Sequence, residues 1–231
     1  ATDAAGGYNQ AGGTFTGGNS SITIINGGFT LSGGTFTNTS GGLNVERNFN
    51  ISGGTFTNTS KTVTFIDSNT ADDTTLTCSA ALGGRFVITK NSGGDFTLSS
   101  GCTIDLGAGP TSLLGSGSNG TYTNNGTMTI ASGTWTINGS GRTLTNNGTI
   151  THSGTGWDMN DTTFTNNAGK TVTYSGTTMT VERSFNQSGI FNLSGVTMTF
   201  DGTASTDDTT LTCGSSTIAS MVINKTNASS V

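Results

Sequence analysis

The sequence predicts an all-β chain, a single β-solenoid of about ten rungs of 20–22 residues, built from short parallel strands. Three observations predict it: a fixed repeat period, strict alternation within each period, and turn formers between the alternating runs. Thr-Phe-Thr recurs at Thr14–Thr16, Thr35–Thr37 and Thr55–Thr57, at spacings of 21 and 20 residues. Tyr122-Thr-Asn-Asn-Gly126 returns as Leu144-Thr-Asn-Asn-Gly148, 22 residues on. Such periods mark coils or arrays rather than globular domains.

Each period is made of strands. Thr62-Val-Thr-Phe65, Thr127-Met-Thr-Ile130, Thr134-Trp-Thr-Ile137, Thr171-Val-Thr-Tyr174 and Thr197-Met-Thr-Phe200 swap polar for apolar at every position. That is the period of a half-buried strand. Thr and the aromatics also favour strands. Ser-Gly-Gly, Asn-Asn-Gly and Asn-Gly-Ser-Gly separate the runs and supply turns. Roughly 25 to 28 strands of four to five residues result, two or three per period. Stacking places Phe15 over Phe36 over Phe56 inside, with Thr16, Thr37 and Thr57 outside. Asn38 and Asn58 share a corner, as do Asn124 and Asn146, where side-chain amides bond along the stack. About ten rungs at about 4.8 Å give a rod of about 50 Å. The count drifts near residues 66–74, 100–120 and 155–178, which read as corner insertions.

Composition closes off other classes. Of 231 residues, 37 are Gly, and charged residues are 9%. Gly, Thr, Ser and Asn fill roughly three-fifths of the chain, a total that also suits disorder. The alternating order decides for structure. Collagen needs Gly at every third position and abundant Pro, and the chain has one Pro. No apolar run is long enough to span a bilayer. A net charge of −5 argues against a nucleic-acid partner. The opening at Ala1, with no charged and apolar leader, suits a mature secreted chain or an excised fragment.

A longer repeat overlies the rungs. Val45-Glu-Arg-Asn-Phe-Asn50 returns as Val181-Glu-Arg-Ser-Phe-Asn186. Asp72-Asp-Thr-Thr-Leu-Thr-Cys78 returns as Asp207-Asp-Thr-Thr-Leu-Thr-Cys213, and Lys90 maps onto Lys225. The offsets are 135 and 136 residues, so residues 45–90 match 181–225 inside one domain covering 1–231. Cys78 and Cys102 lie 24 residues apart, about one rung, which suits either a disulfide or buried free thiols. Cys213 matches Cys78, and the counterpart of Cys102 would fall beyond Val231. Cys213 is therefore free or bonded outside this chain.

Thr123–Ile130 and Thr145–His152 resemble the repeats of secreted bacterial β-helix adhesins. Autotransporter passengers and filamentous-haemagglutinin-type proteins are similar, and Gly-Gly-Thr-Phe-Thr resembles repeats of large cell-surface proteins. The resemblance implies an extracellular, non-catalytic rod at a cell surface. It carries no site residues over.

The candidate chemistry is sparse. Asp67, Asn69, Asp72 and Asp73, with the later Asp201, Asp207 and Asp208, supply oxygens for a calcium loop, or form solvated corners kept by duplication. No other cofactor is implied. Glu46-Arg47 and Glu182-Arg183 read as cross-rung ion pairs or register devices. His152, with Asp158 and Asp161 downstream, reads as a surface histidine. Trp135, Trp157 and Asp158 are the seed of a polysaccharide-binding or -cleaving face. The Thr-x-Thr arrays suggest an ice-binding face. Sequons at Asn19, Asn38, Asn58, Asn125, Asn147 and Asn192 offer glycosylation sites. The reading that follows is a non-enzymatic surface fibre or adhesin rod. Its partners are further copies joined through open solenoid ends, and surface glycans.

Overall fold

A computed structural model describes residues 7–106, 111–114, 120–193, 195–202, 209–214, 218 and 220–225. Among these residues every regular element is a strand, and all paired strands run parallel. The 27 strands, β1 to β27 in chain order, stack as a β-solenoid of about nine turns. Strand pairing fixes what the sequence left open: each turn has three strands, one on each of three faces.

The first face stacks β1 (Tyr8–Gln10), β4 (Phe29–Leu31), β7 (Phe49–Ile51), β10 (Thr74–Cys78), β13 (Phe96–Leu98) and β16 (Thr121–Asn124). It continues through the second halves of β18 (Thr134–Asn146) and β20 (Gly156–Asn166) to β23 (Phe185–Gln187) and β26 (Leu211–Cys213). The second face holds β2 (Thr14–Thr16), β5 (Thr35–Thr37) and β8 (Thr55–Thr57). Further along it holds β11 (Ala81–Leu82), β14 (Thr103–Asp105), β17 (Thr127–Ile130), β19 (Thr149–His152), β21 (Thr171–Tyr174) and β24 (Ile190–Leu193). The third face begins with β3 (Ile22–Ile24), β6 (Leu43–Val45), β9 (Thr62–Ile66) and β12 (Arg85–Thr89). It resumes with β15 (Thr111–Leu114), the first halves of β18 and β20, β22 (Thr178–Val181), β25 (Thr197–Gly202) and β27 (Ser220–Lys225).

The register stacks like on like. Phe15 sits opposite Phe36, and Phe36 opposite Phe56, with ring centroids 4.8 and 5.6 Å apart. Tyr8, Phe29 and Phe49 form a second column at 5.0 and 4.8 Å. Alternation places these rings inside and Thr outside, so the core is a thin apolar line. Thr127, Thr149 and Thr171 form one outward column, and Thr129, Thr151 and Thr173 the next.

Two of the three expected corner insertions are consistent with the turn lengths. Residues 67–73 fill a long corner between β9 and β10. The long connection between β14 and β16 includes residues 107–110 and 115–119, which lie outside the described residues. The third is corrected. Near 155–178 the chain adds no insertion; β20 runs straight through a corner and serves two faces.

Candidate functional site

Charged and amide side chains gather at the corners, where a solenoid has backbone groups to satisfy. Asn38 Nδ2 donates to Asn58 Oδ1 at 2.6 Å. Asn124 Nδ2 donates to Asn146 Oδ1 at 2.7 Å, and Asn146 Nδ2 to Asn166 Oδ1 at 2.8 Å. All five residues are buried. A second ladder runs outside this one, with Asn147 Nδ2 donating to Asn125 Oδ1 at 3.1 Å and Asn167 Nδ2 to Asn147 Oδ1 at 2.5 Å. The glycosylation expectation is corrected at Asn38, Asn58 and Asn147. The nitrogen a glycan would take is enclosed or spent on the stack. Asn125 is half-buried beside them; Asn19 and Asn192 remain exposed.

The long repeat carries a buried latch that sequence reasoning missed. Lys90 has no exposed surface, and its Nζ donates to the carbonyls of Glu46 (2.7 Å), Ile66 (2.8 Å) and Asp72 (2.5 Å). Burial lowers its pKa to about 8, against the pull of the surrounding carboxylates. Thr74 Oγ1 donates to the same Glu46 carbonyl at 3.1 Å. Lys225 repeats the pattern on Glu182 O (2.8 Å) and Asp201 O (3.1 Å), and Thr209 Oγ1 on Glu182 O (2.9 Å). The legible signal was Lys and Glu recurring together at one offset.

Glu46 and Glu182 act on the preceding rung. Glu46 Oε2 accepts from Asn26 N at 2.5 Å, and Glu182 Oε2 from Asp161 N at 3.0 Å. Both donors have positive φ, 58° and 56°. A carboxylate therefore steadies each left-handed corner. The neighbouring arginines pair in opposite directions: Arg47 with Asp72 at 3.3 Å, Arg183 with Asp161 at 2.7 Å.

The expected calcium loop does not converge. Asp72 Oδ2 accepts from Ser68 N, Ser68 Oγ and Asn69 N, each at 3.0 Å. Burial alone would raise its pKa; those donors and Arg47 outweigh it and hold the pKa low. Asp67 accepts from the N–H groups of Asn91, Ser92 and Gly94 in the next turn. Asp73 accepts from Asp95 N, and Asn69 Oδ1 from Ala71 N. These oxygens serve as caps for backbone N–H groups. Among the described residues no three His, Cys, Asp or Glu side chains form a metal-holding group. Asp201 Oδ1 accepts from Gly202 N; Asp207 and Asp208 lie outside the described residues.

His152 is corrected from a surface residue to a core one. The column Ile130, His152, Tyr174 runs through β17, β19 and β21 on their inward face. Gly154 N donates to His152 Nδ1 at 3.0 Å, so Nε2 carries the proton it shares with Gly156 O at 2.7 Å. Burial lowers its pKa. Trp135 and Trp157 stack inside at 4.7 Å, each only 1% exposed, which removes them as a sugar platform. Asp158 projects from the opposite phase of its strand, and burial raises its pKa. Cys78 and Cys102 form a disulfide across one turn, Cα atoms 5.1 Å apart, while Cys213 is free and exposed.

No family model, curated protein or solved structure matches the chain.

Proposed function

We propose that this protein is a non-enzymatic structural rod of an extracellular surface, a fibre subunit or adhesin stalk extended by rung stacking at its ends. The observation that carries this reading is where the buried polar groups go. Glu46, Lys90, His152 and the asparagine ladders all bond backbone or side chains of the same or neighbouring turns. Such bonds hold a rod together along its axis. A disulfide within a small-residue, low-charge chain suits an oxidising, extracellular compartment. Negative-stain microscopy of purified protein tests it: rods of uniform width that lengthen with concentration are expected. Discrete particles that bind or depolymerise polysaccharide would sink it.

A second reading has its own observation. The outward Thr127, Thr149, Thr171 and Thr129, Thr151, Thr173 columns form an in-register hydroxyl array on one parallel sheet, a surface suited to ordering water. An ice-recrystallisation assay of the protein against its Thr151→Lys variant separates it from a plain rod. Inhibition lost in the variant supports ice binding, and no inhibition by either excludes it.

A further inference from the structure

The two copies of the long repeat fold alike but end differently. In the first, β7, β10 and β13 stack in order, and β6, β9 and β12 do so on another face. In the second, β23 and β26 take the places of β7 and β10, and β22, β25 and β27 those of β6, β9 and β12. The registers agree. Leu76 faces Phe49 as Leu211 faces Phe185, and Cys78 faces Ile51 as Cys213 faces Gln187. Among the described residues no strand stands in the place of β13.

The difference is visible residue by residue. Phe86 and Ile88 are fully buried; their counterparts Met221 and Ile223 are 49% and 55% exposed. Cys78 is buried and bonded to Cys102; Cys213 is exposed and free. One strand face, one apolar row and one thiol are uncovered together. In the first copy, Asn91–Leu106 covers the β10 edge and supplies the bonding cysteine.

We propose that β26, β27 and Cys213 form a docking surface for one further parallel rung with the chemistry of Asn91–Leu106, and that a cysteine in that rung bonds Cys213. The proposal rests on the rod reading only in that rungs stack across this edge. Its occupant is a segment of this same module type. An intact second copy does not qualify: its own Asn91–Leu106 lies between β10 and β16, and its Cys102 is already bonded. Backbone pairing to an open strand edge supplies attachment. Pockets left by the exposed row choose Phe and Leu at the alternating positions of Phe96 and Leu98. The bond forms by exchange. The Cys213 thiolate attacks the sulfur of a cysteine held as a glutathione mixed disulfide, and glutathione thiolate leaves.

The test uses the 231-residue chain and a synthetic peptide of residues 91–106, with Cys102 as its glutathione mixed disulfide. A scrambled peptide with cysteine in the same place is the control. Docking raises the effective concentration of the sulfurs, so the native-order peptide should form the Cys213 adduct at least about tenfold faster. Amide exchange in β26 and β27 should slow in the adduct. With the Cys213→Ser variant, the free peptide should still slow that exchange, which separates docking from mere thiol reactivity. Equal rates for both peptides, or unchanged exchange in β26 and β27, would overturn the proposal. A Cys213-linked dimer that forms in preference to the peptide adduct would overturn it too. Growing rods without peptide capture would refute this inference and leave the rod reading standing; capture without rods would do the reverse.

Discussion

Asn146→Ala tests the corner ladder where it is most enclosed. Asn146 has no exposed surface and sits mid-ladder. Its removal takes the acceptor from Asn124 Nδ2 (2.7 Å) and from Gly148 N (3.2 Å), and the donor from Asn166 Oδ1 (2.8 Å). Asn124 Nδ2 keeps Thr149 O at 3.0 Å, so it is not wholly orphaned. At about 1 kcal/mol for each lost buried bond, the cost is about 3 kcal/mol. Asn147→Ala is the matched control. It breaks two ladder bonds at a half-buried position where water substitutes, so it should cost less than about 1 kcal/mol. Urea titration followed by far-ultraviolet circular dichroism reads both, since neighbouring turns of a solenoid unfold as coupled units. If Asn146→Ala costs no more than Asn147→Ala, the buried ladder is not what stiffens this corner.

Lys90→Met leaves three carbonyls without their donor and should cost at least about 3 kcal/mol by urea titration; under about 1 kcal/mol, the latch would be ornamental. His152 has a folded pKa below its ordinary 6.5, so the unfolded chain binds the extra proton. Stability should be full above pH 6.5 and fall as pH drops below it, and His152→Phe should flatten that slope in thermal melts; an unchanged slope refutes the buried neutral ring. A methyl added at Gly148 would overlap the Gly126 carbonyl oxygen one turn away. Gly148→Ala should therefore lower stability by about 1–3 kcal/mol, measured by thermal melting, whereas an unchanged midpoint would mean the turns are less tightly stacked. Cys102→Ser opens a cross-link between residues 24 apart and should cost about 3 kcal/mol on the chain-entropy account; denaturation midpoints equal to those of the unmodified protein would contradict it.

Most of the rod was legible because two periods coincide in it. Alternation assigned the inward phase, and the 20–22-residue period stacked Phe15, Phe36 and Phe56. The same alternation placed His152 inward, two positions after Ile150, but a lone polar ring on a Thr strand suggested surface. The hydrogen bonds that make its burial tolerable come from a turn and are invisible in the sequence. Three strands per turn were also hidden, because turn residues announce a bend without its angle. The aspartates were misread for a related reason. An oxygen-rich corner suits a cation or a set of backbone N–H donors equally, and only the position of the next turn decides between them.

The central claim is that polar groups inside the rod bind turn to turn along its axis. Residue-resolved hydrogen exchange tests it most directly. Amides beside Asn146, Lys90 and His152 should exchange slowest, at rates that track global unfolding, with β1 and β27 at the rod's ends exchanging fastest. Fast exchange at those three inner positions, no slower than at the ends, would contradict the account.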